Sequence, residues 1–197
     1  MTEADLADAS VESLFLRSGA LLEGHFLLKS GRHAGRYLEK FLVLQHPPYG
    51  VEICRRFASV LAPYEPTLVV GPTTGGVLLS FETARLVGGS VRAAFAEVVA
   101  AGGRALRRGW AVAADERVVI VDDILTTGAS LIETVDAVRA SGVEPLAAAV
   151  MVDRSVAAVE AGLPIHALGR IEIPSWEADA CELCSAGVPV SRPGSSS

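Results

Sequence analysis

Two neighbouring carboxylates, Asp122 and Asp123, stand directly before a turn of small and hydroxyl-bearing residues. The residues that follow the carboxylates are Ile124, Leu125, Thr126, Thr127, Gly128, Ala129 and Ser130. A loop of this kind that opens a helix offers free backbone N–H groups and the positive end of the helix dipole, which suits a phosphate. The carboxylates would repel a phosphate, but they suit hydroxyl groups or a magnesium ion. A ribose 5-phosphate satisfies both halves of this pattern.

The residues on either side of the turn predict the elements that hold it. The run from Val118 to Val121 is apolar and mostly β-branched, which is typical of a strand buried on both faces of a parallel sheet. Beyond the turn, Leu131, Val135 and Val138 recur at helical spacing. Ligands of open α/β sheets bind just past the carboxyl ends of strands, where this turn lies. An ordinary capped turn is the alternative, although a cap needs one hydroxyl or acid and this stretch has five.

The stretch from Arg117 to Ser130 resembles the ribose-phosphate signature of the type I phosphoribosyltransferases. The resemblance implies an α/β fold in which helices flank a central, mostly parallel sheet, with a small N-terminal hood. It also implies that Asp122 and Asp123 hold the ribose hydroxyls of phosphoribosyl pyrophosphate (PRPP). The segment from Thr126 to Ser130 would then wrap the 5-phosphate of the same molecule.

A second turn of similar chemistry follows the predicted strand from Thr67 to Gly71. It contains Thr73, Thr74, Gly75 and Gly76, and its glycines let backbone N–H groups approach an anion closely. Its position matches the pyrophosphate loop of the phosphoribosyltransferases, although a tight turn without a ligand is the alternative. Both turns are expected at the same edge of the sheet.

The segment 96–116 has weak periodicity, and long irregular segments of compact domains are often functional lids or disordered. In the family this region is a mobile loop that closes over the pyrophosphate, often in the neighbouring subunit. The segment has no lysine or histidine, so Arg104, Arg107 and Arg108 are together the candidate cations. Structural ion pairs are the alternative for some of these arginines. A loop that reaches a neighbouring site implies a homodimer.

The basic segment from Gly24 to Phe41 predicts a hairpin, and a solvated surface is the simplest role of its charges. Its string LKSGRH resembles the N-terminal hood of the orotate phosphoribosyltransferases. The resemblance implies that Lys29 lies near the pyrophosphoryl donor, and that Tyr37 and Leu38 line the orotate ring. Many members of that family carry two aromatic residues at this pair, whereas this chain has leucine at 38.

Arg154 follows the predicted strand from Glu144 to Val152. An arginine at such an end can form a two-pronged hydrogen-bonded pair with a carboxylate. In the orotate enzymes the matching arginine binds the carboxylate of orotate, and Thr126 would help to orient the same ring. A salt bridge from Arg154 to Asp153 or Glu160 is the alternative.

The resemblance runs from residue 21 to the C-terminal cysteines and implies one reaction. The phosphoribosyl group of PRPP passes to orotate, which gives orotidine 5′-monophosphate and pyrophosphate in pyrimidine synthesis. Lys29, Asp122 and Asp123 would stabilise charge rather than act as nucleophiles. Magnesium would be carried by the substrate, without dedicated protein ligands. The alternatives are transfer to a purine or another base, and a non-catalytic regulator that binds PRPP.

Composition sets the remaining expectations. The chain of 197 residues predicts one domain, 1–190, with the hood mainly in 1–45, the core in 49–173 and a disordered tail at 191–197. A net charge of −6 argues against a nucleic-acid partner, and no apolar run approaches the roughly 20 residues of a membrane span. The remaining patterns predict helices at 4–18, 49–61 and 156–161 and strands at 91–95 and 164–173.

The three cysteines predict no disulfide framework, and they favour the reducing cytoplasm as the location of the protein. Cys181 and Cys184 form a CxxC pair, which can bind zinc if two further ligands are present. The nearest candidates in sequence are His166 and nearby acids, so a complete site within one chain is not expected. Packing or a dimer contact is the favoured role of the pair.

Overall fold

Helices and strands alternate along most of the chain, and the computed structural model describes residues 3–28 and 30–192. The helices are α1 (Glu3–Ala7), α2 (Val11–Arg17), α3 (Lys40–Leu44), α4 (Pro47–Leu61), α5 (Gly75–Val87), α6 (Ala129–Arg139) and α7 (Glu182–Ser185). The strands are β1 (Leu21–Leu27), β2 (His33–Leu38), β3 (Leu68–Pro72), β4 (Arg92–Val98), β5 (Arg104–Leu106), β6 (Val118–Leu125), β7 (Ala147–Asp153), β8 (Ile165–Ala167) and β9 (Ser175–Trp176). Among the described residues, no helix combines the length and apolar character needed to cross a bilayer.

Six strands form the main sheet in the order β5-β4-β3-β6-β7-β8. Every neighbouring pair is parallel except β4 and β5, so the expected mostly parallel sheet is confirmed. The chain passes from β3 to β4 on one side and from β6 to β7 on the other. The strand order therefore reverses between β3 and β6, and open sheets of this kind bind ligands in the crevice at such a reversal.

Strand β6 lies in the middle of the sheet and is buried on both faces, as its apolar run predicts. Val119 and Val121 belong to the core that α4 and α5 cover, whereas Val118 and Ile120 face the side of α6. The strand continues past the two carboxylates as far as Leu125, because its ladder with β7 extends that far. The acidic pair is therefore held by the sheet itself.

The hood is a separate antiparallel sheet in the order β1-β2-β9. Its hairpin of β1 and β2 agrees with the predicted hairpin, but the third strand comes from the C-terminal part of the chain, where His33 pairs with Trp176. Farther on, Ser191 donates its N–H to the His25 carbonyl and accepts from Leu27 N–H, each at 2.8 Å. Both ends of the chain thus contribute to the hood.

Three predicted elements are corrected by the structure. The expected helix 4–18 is two helices, because the Ser10 hydroxyl accepts the N–H of Ser13 and caps a new helix. The expected helix 156–161 is irregular, and Val159 packs against the α6 side of the core.

The strand expected at 164–173 ends at Ala167, beyond which Arg170 forms an isolated bridge with β7. In the expected tail 191–197, Ser191 forms a bridge with Phe26, whereas residues 193–197 lie outside the described residues, so the expected disorder stays a prediction.

Candidate active site

The two carboxylates of β6 are held by short hydrogen bonds at the crevice. Asp122 and Asp123 are 3% and 5% exposed. One oxygen of Asp122 accepts the N–H of Asp123 at 2.7 Å, and the other accepts the hydroxyl of Ser130 at 2.6 Å. Asp123 Oδ1 accepts the N–H of Ile124 at 2.7 Å. The structure thus joins the acidic pair to the hydroxyl-rich turn.

Burial dominates the electrostatics of Asp122. Burial, and next the negative charge of Asp123, raise the pKa of Asp122 to about 6. The hydroxyl of Ser130, the N–H of Asp123 and the ammonium of Lys40 oppose that rise. At neutral pH the carboxylate is ionised but poorly solvated, which makes it costly for the folded state.

Asp122→Asn is expected to raise stability at pH 7 while lowering activity. The folded pKa of about 6 exceeds the ordinary aspartate value of about 3.9. Between those values the folded chain binds more protons than the unfolded chain, so the stability contributed by this group falls as pH rises through that window. The neutral amide removes the poorly solvated charge and should add about 2 kcal/mol to the free energy of unfolding at pH 7.

Urea unfolding of Asp122→Asn and of the parent at pH 7 and pH 4.5 checks this expectation. The gain should shrink strongly at the lower pH, because the parent carboxyl is then protonated as well. Asp136→Asn, on the exposed side of α6, is the matched control and should change the free energy of unfolding by less than about 0.5 kcal/mol. An equal gain at both pH values would contradict a raised pKa at Asp122.

Lys40 is a site residue that the sequence reasoning missed. It opens α3, and its Nζ lies 3.0 Å and 2.8 Å from the two carboxylate oxygens of Asp123. The basic run around the hood contained this lysine, but the pattern carried no sign of a partner 83 positions away. The contact brings the chain that follows the hood to the crevice and balances the charge of Asp123.

The predicted pyrophosphate loop lies directly against the acidic pair. It joins β3 to α5, with a cis peptide between Thr73 and Thr74. A Cβ at Gly75 would overlap Oδ2 of Asp123, so only glycine permits this approach. Gly75 and Gly76 form the first turn of α5, where backbone N–H groups have no acceptor within the helix. Amides without a helical acceptor and the carboxylates therefore share one crevice.

The hydroxyl-rich turn after β6 presents its backbone and its threonines to the crevice. Gly128 has φ of +80° and caps α6, and a Cβ there would overlap the side chain of Val159. Thr126 and Thr127 are exposed, whereas Ile124 and Leu125 pack into the core. Ile124 and Leu125 can therefore contact a ligand only through their backbone.

Arg104 braces the pyrophosphate loop. Its side chain is only 10% exposed, and its Nη1 donates to the carbonyl of Thr73 at 3.2 Å and to the hydroxyl at 3.0 Å. Its Nε lies 3.3 Å from Glu133 on α6. Arg104 sits on β5, which pairs antiparallel with β4, so this part of the segment expected to be irregular is an ordered hairpin.

The other two candidate cations differ in their contacts. Arg108 makes hydrogen bonds of 3.1 Å and 2.8 Å to Glu97. Arg107 is exposed and contacts no carboxylate among the residues that the structure describes. The three arginines that the sequence could not rank thus differ. Arg104 supports the loop at Thr73, Arg108 is paired with Glu97, and Arg107 is available to a ligand.

Arg154 lies at the end of β7 without the salt bridge that the sequence left open. Asp153 pairs instead with Arg170 at 3.3 Å and accepts the Ser155 hydroxyl at 2.6 Å. Within the described part of the chain, Arg154 forms no ion pair and its buried Nε has no hydrogen-bond partner. Burial lowers the pKa of this guanidinium, and the nearby Tyr37 opposes that shift. A buried donor without a partner is suited to an anionic ligand.

A cleft of about 560 Å³ joins Arg154 to the hydroxyl-rich turn after β6, since Thr126 and Thr127 line it as well. Tyr37 approaches from the hood, with its ring 5.8 Å from that of Phe26. Burial, and next Glu39, raise the pKa of the Tyr37 hydroxyl, and Arg154 lowers it.

The other two predicted hood residues are Leu38 and Lys29. Leu38 is 5% exposed and packs in the main core, because neighbouring strand residues point to opposite faces. Its side chain therefore faces the core, and its expected contact with the base stays a prediction. Lys29 lies outside the described residues.

Comparison with known proteins gives a consistent result. Residues 44–161 match the phosphoribosyl transferase domain family. The chain is 43% identical over 185 residues to an orotate phosphoribosyltransferase of Pelotomaculum thermopropionicum, covering 94% of this chain and 96% of that relative. It is 36% identical to that of Thermotoga maritima, covering 94% and 97%. A solved Mycobacterium tuberculosis orotate phosphoribosyltransferase superposes with a TM-score of 0.67 at 25% identity, covering 86% and 96%.

Proposed function

The chain belongs to the orotate phosphoribosyltransferases, and we propose that it transfers the phosphoribosyl group of PRPP to orotate in the crevice between β3 and β6. The observation that carries this site assignment is the contact of Asp123 with both Gly75 and Lys40. That contact unites the acidic pair, a loop of free amides and a cation. A doubly phosphorylated sugar needs all three.

The proposed binding mode follows from the donors and acceptors of the crevice. The amides at the start of α6 bind the 5-phosphate, and the carboxylates accept the ribose hydroxyls. As the bond from the anomeric carbon to pyrophosphate breaks, Asp122 and Asp123 stabilise the positive charge that develops on the sugar. The amides of the Gly75 turn stabilise the leaving pyrophosphate. Catalysis then rests on position and charge, with no protein nucleophile.

Orotate is proposed to bind on the Arg154 side of the same crevice. The guanidinium would form a two-pronged pair with the orotate carboxylate, and Tyr37 would contact the ring. Thr126 would orient the ring from the turn. The attacking ring nitrogen would then face the anomeric carbon above the acidic pair. A neutral purine would leave Arg154 without a partner, so the structure offers no support for the purine alternative.

Magnesium is proposed to enter with the substrate. Each carboxylate of the acidic pair already accepts hydrogen bonds, and Asp123 is paired with Lys40. Within the described residues, the one group of three or more side chains that could bind a metal is His25, His33, Cys181 and Cys184, and it does not include Asp122 or Asp123. When bound, the ion would offset the negative charge of the pyrophosphate. The carboxylates and Lys40 would orient the sugar beside it.

The direct test is steady-state turnover by the purified full chain. Orotate absorbance should fall only when PRPP and magnesium are both present, and pyrophosphate should appear in equal amount. Adenine or hypoxanthine in place of orotate should give no product. Tight PRPP binding without turnover of orotate would instead identify a non-catalytic regulator.

Arg107→Ala is expected to lower kcat/KM for PRPP by about 10-fold to 100-fold, because a charge-assisted hydrogen bond to the pyrophosphate is lost. The orotate KM should change little. Arg139→Ala, at the exposed end of α6, is the matched control and should stay within about twofold. Full PRPP efficiency in the Arg107 variant would remove it from the site.

Arg107 is proposed to act in a homodimer. Leu78 and Phe81 on α5 are 55% and 66% exposed, next to an apolar groove between α4 and α5. A second copy of this chain is the proposed occupant, because α5 starts at the pyrophosphate loop and a paired α5 would bring two sites together. The segment that carries Arg107 would then reach the neighbouring site.

Complementation tests the dimer and the direction of the loop together. Arg107→Ala and Asp123→Asn chains carrying two different tags are co-expressed, and the mixed species is purified through both tags. A loop that acts on its neighbour leaves one intact site per mixed dimer, so about half of the parent activity should return. Activity that stays at the level of the single variants would place the loop on its own site. Failure to recover any doubly tagged species would contradict the dimer.

The cytoplasm is the proposed location. Cys54, Cys181 and Cys184 are free in the structure, and free thiols persist in reducing compartments. Cell fractionation followed by detection of the untagged chain would test the location.

A further inference from the structure

Four side chains that can bind a metal meet where the hood contacts the C-terminal segment. They are His25 on β1, His33 on β2, Cys181 and Cys184, and their ligand atoms all lie within 4.8 Å of one another. Three of the four are buried and Cys184 is exposed. The sequence pointed to His166 as the nearest partner of the cysteines, but His166 contacts the hydroxyl of Tyr64 at 2.9 Å. The missing ligands come instead from the other end of the chain.

The distances within this hood cluster approach those of a tetrahedral site. His25 Nε2 lies 3.5 Å from Cys181 Sγ and 3.8 Å from Cys184 Sγ, and His33 Nδ1 lies 3.3 Å from Cys184 Sγ. With zinc about 2.0–2.1 Å from nitrogen and about 2.3 Å from sulfur, neighbouring ligand atoms stand roughly 3.3–3.8 Å apart. The two imidazole nitrogens, at 2.7 Å, would have to separate by about 0.6 Å.

The hydrogen bonds of His25 direct its free lone pair to the centre of the cluster. Its Nδ1 lies 2.7 Å from the carbonyl of Val188 and must donate a proton there, since a carbonyl only accepts. In the neutral ring the Nε2 atom is then an acceptor, which takes a hydrogen bond from His33 Nδ1 at 2.7 Å and also faces the two thiols; a metal ion would replace that proton. A histidine ligand whose other nitrogen donates to a backbone carbonyl is the usual arrangement in metal sites.

We propose that this cluster binds one structural zinc ion, which fastens the C-terminal segment to the hood. Two thiolates and two neutral imidazoles favour zinc over magnesium or calcium, which prefer oxygen ligands. Four protein ligands leave no open position for a substrate, so the role is structural. Two thiolates also balance the charge of the ion, which suits a largely buried location.

Little strand pairing joins the C-terminal segment to the hood, where Arg32 also makes hydrogen bonds to Ser175, so a bound ion would have a weakly paired region to stabilise. Strand β9 pairs with β2 through only two residue pairs, and Ser191 adds one bridge to β1. His33 lies on the same strand as Tyr37, the proposed orotate contact. Loss of zinc should therefore loosen the wall that covers the base, while the amides and carboxylates of the main sheet remain in place.

Metal analysis of the untagged, reduced full chain provides the first test. We expect about one zinc per chain after dialysis, and a chelator should lower the melting temperature by about 5–10 °C. Cys184→Ser should bind little zinc and melt at the same temperature with or without chelator. Cys54→Ser and His46→Gln lie outside the cluster and should keep the metal. A parent chain that retains no zinc after incubation with excess Zn²⁺ would overturn the proposal.

Cobalt provides a second test that does not depend on a stable variant. Co²⁺ added to the chelator-treated parent chain should give the visible absorption of a tetrahedral site with thiolate ligands, saturating at one equivalent. An absorption typical of six-coordinate cobalt, or no saturation, would leave the cluster as packing alone. Since the readouts are metal content, melting and absorption, failure of this proposal and failure of the proposed catalytic site would be distinguishable.

Discussion

Asp123→Asn is expected to lower kcat/KM for PRPP by about 10²-fold to 10³-fold, with a smaller effect on stability. The substitution removes a negative charge that is proposed to stabilise the positive charge developing on the sugar. It also leaves the ammonium of Lys40, which lies 2.8 Å from the carboxylate, without its charged partner. The shape of the side chain is nearly unchanged, so Gly75 keeps its contact.

Steady-state kinetics with each substrate varied in turn, together with calorimetric titration of PRPP, measure this effect. Asp136→Asn removes the same charge from the exposed side of α6 and should change kcat/KM by less than about twofold. The proposed site would be wrong if the Asp123 variant kept more than about a third of the parent efficiency.

Arg154→Ala is expected to raise the KM for orotate and to lower kcat/KM for orotate by about 10²-fold or more. Removing one partner of a partly buried, hydrogen-bonded charge pair typically costs about 2–5 kcal/mol. PRPP binding should be nearly unchanged. The acidic pair lies on β6 and the two turns that offer amides follow β3 and β6, whereas Arg154 follows β7. Arg154→Lys should recover only part of the loss, since a point charge cannot reproduce the two-pronged geometry.

Initial rates over a range of orotate concentrations, and PRPP titration in the absence of orotate, separate the two substrates. Arg139→Ala removes an exposed, ion-paired arginine and serves as the control. An unchanged orotate KM in the Arg154 variant would show that the carboxylate binds elsewhere, and would reopen the question of which base is used.

Local patterns were enough to predict the centre of the fold. The β-branched run before Asp122 can be buried on both faces only in a covered parallel sheet, and small residues after a strand favour an anion-binding turn. The cap at Ser10 also had a local sign, because a serine followed by Glu12 in the first turn is typical of a helix start. The prediction of a single helix at 4–18 did not take this sign into account.

The features that the sequence did not predict are contacts between distant segments. Lys40 pairs with a residue 83 positions away, and the cysteine sulfur of Cys181 lies near His25 across 156 positions. The partners of Arg104 were equally hidden, because its role depends on how β5 folds back beside β4. Periodicity describes which face of one element is buried, and it contains no information on which faces of two elements meet.

The third strand of the hood has a consequence for protein synthesis. The pairing of His33 with Trp176, and the hydrogen bond from the Arg32 guanidinium to Ser175 across 143 positions, need residues that are synthesised long after the hairpin. The first hairpin must therefore wait, with an unpaired edge, until residues 175 and 176 have left the ribosome. Nascent chains stalled before residue 175 should accordingly be more sensitive to protease in residues 21–38 than the released protein.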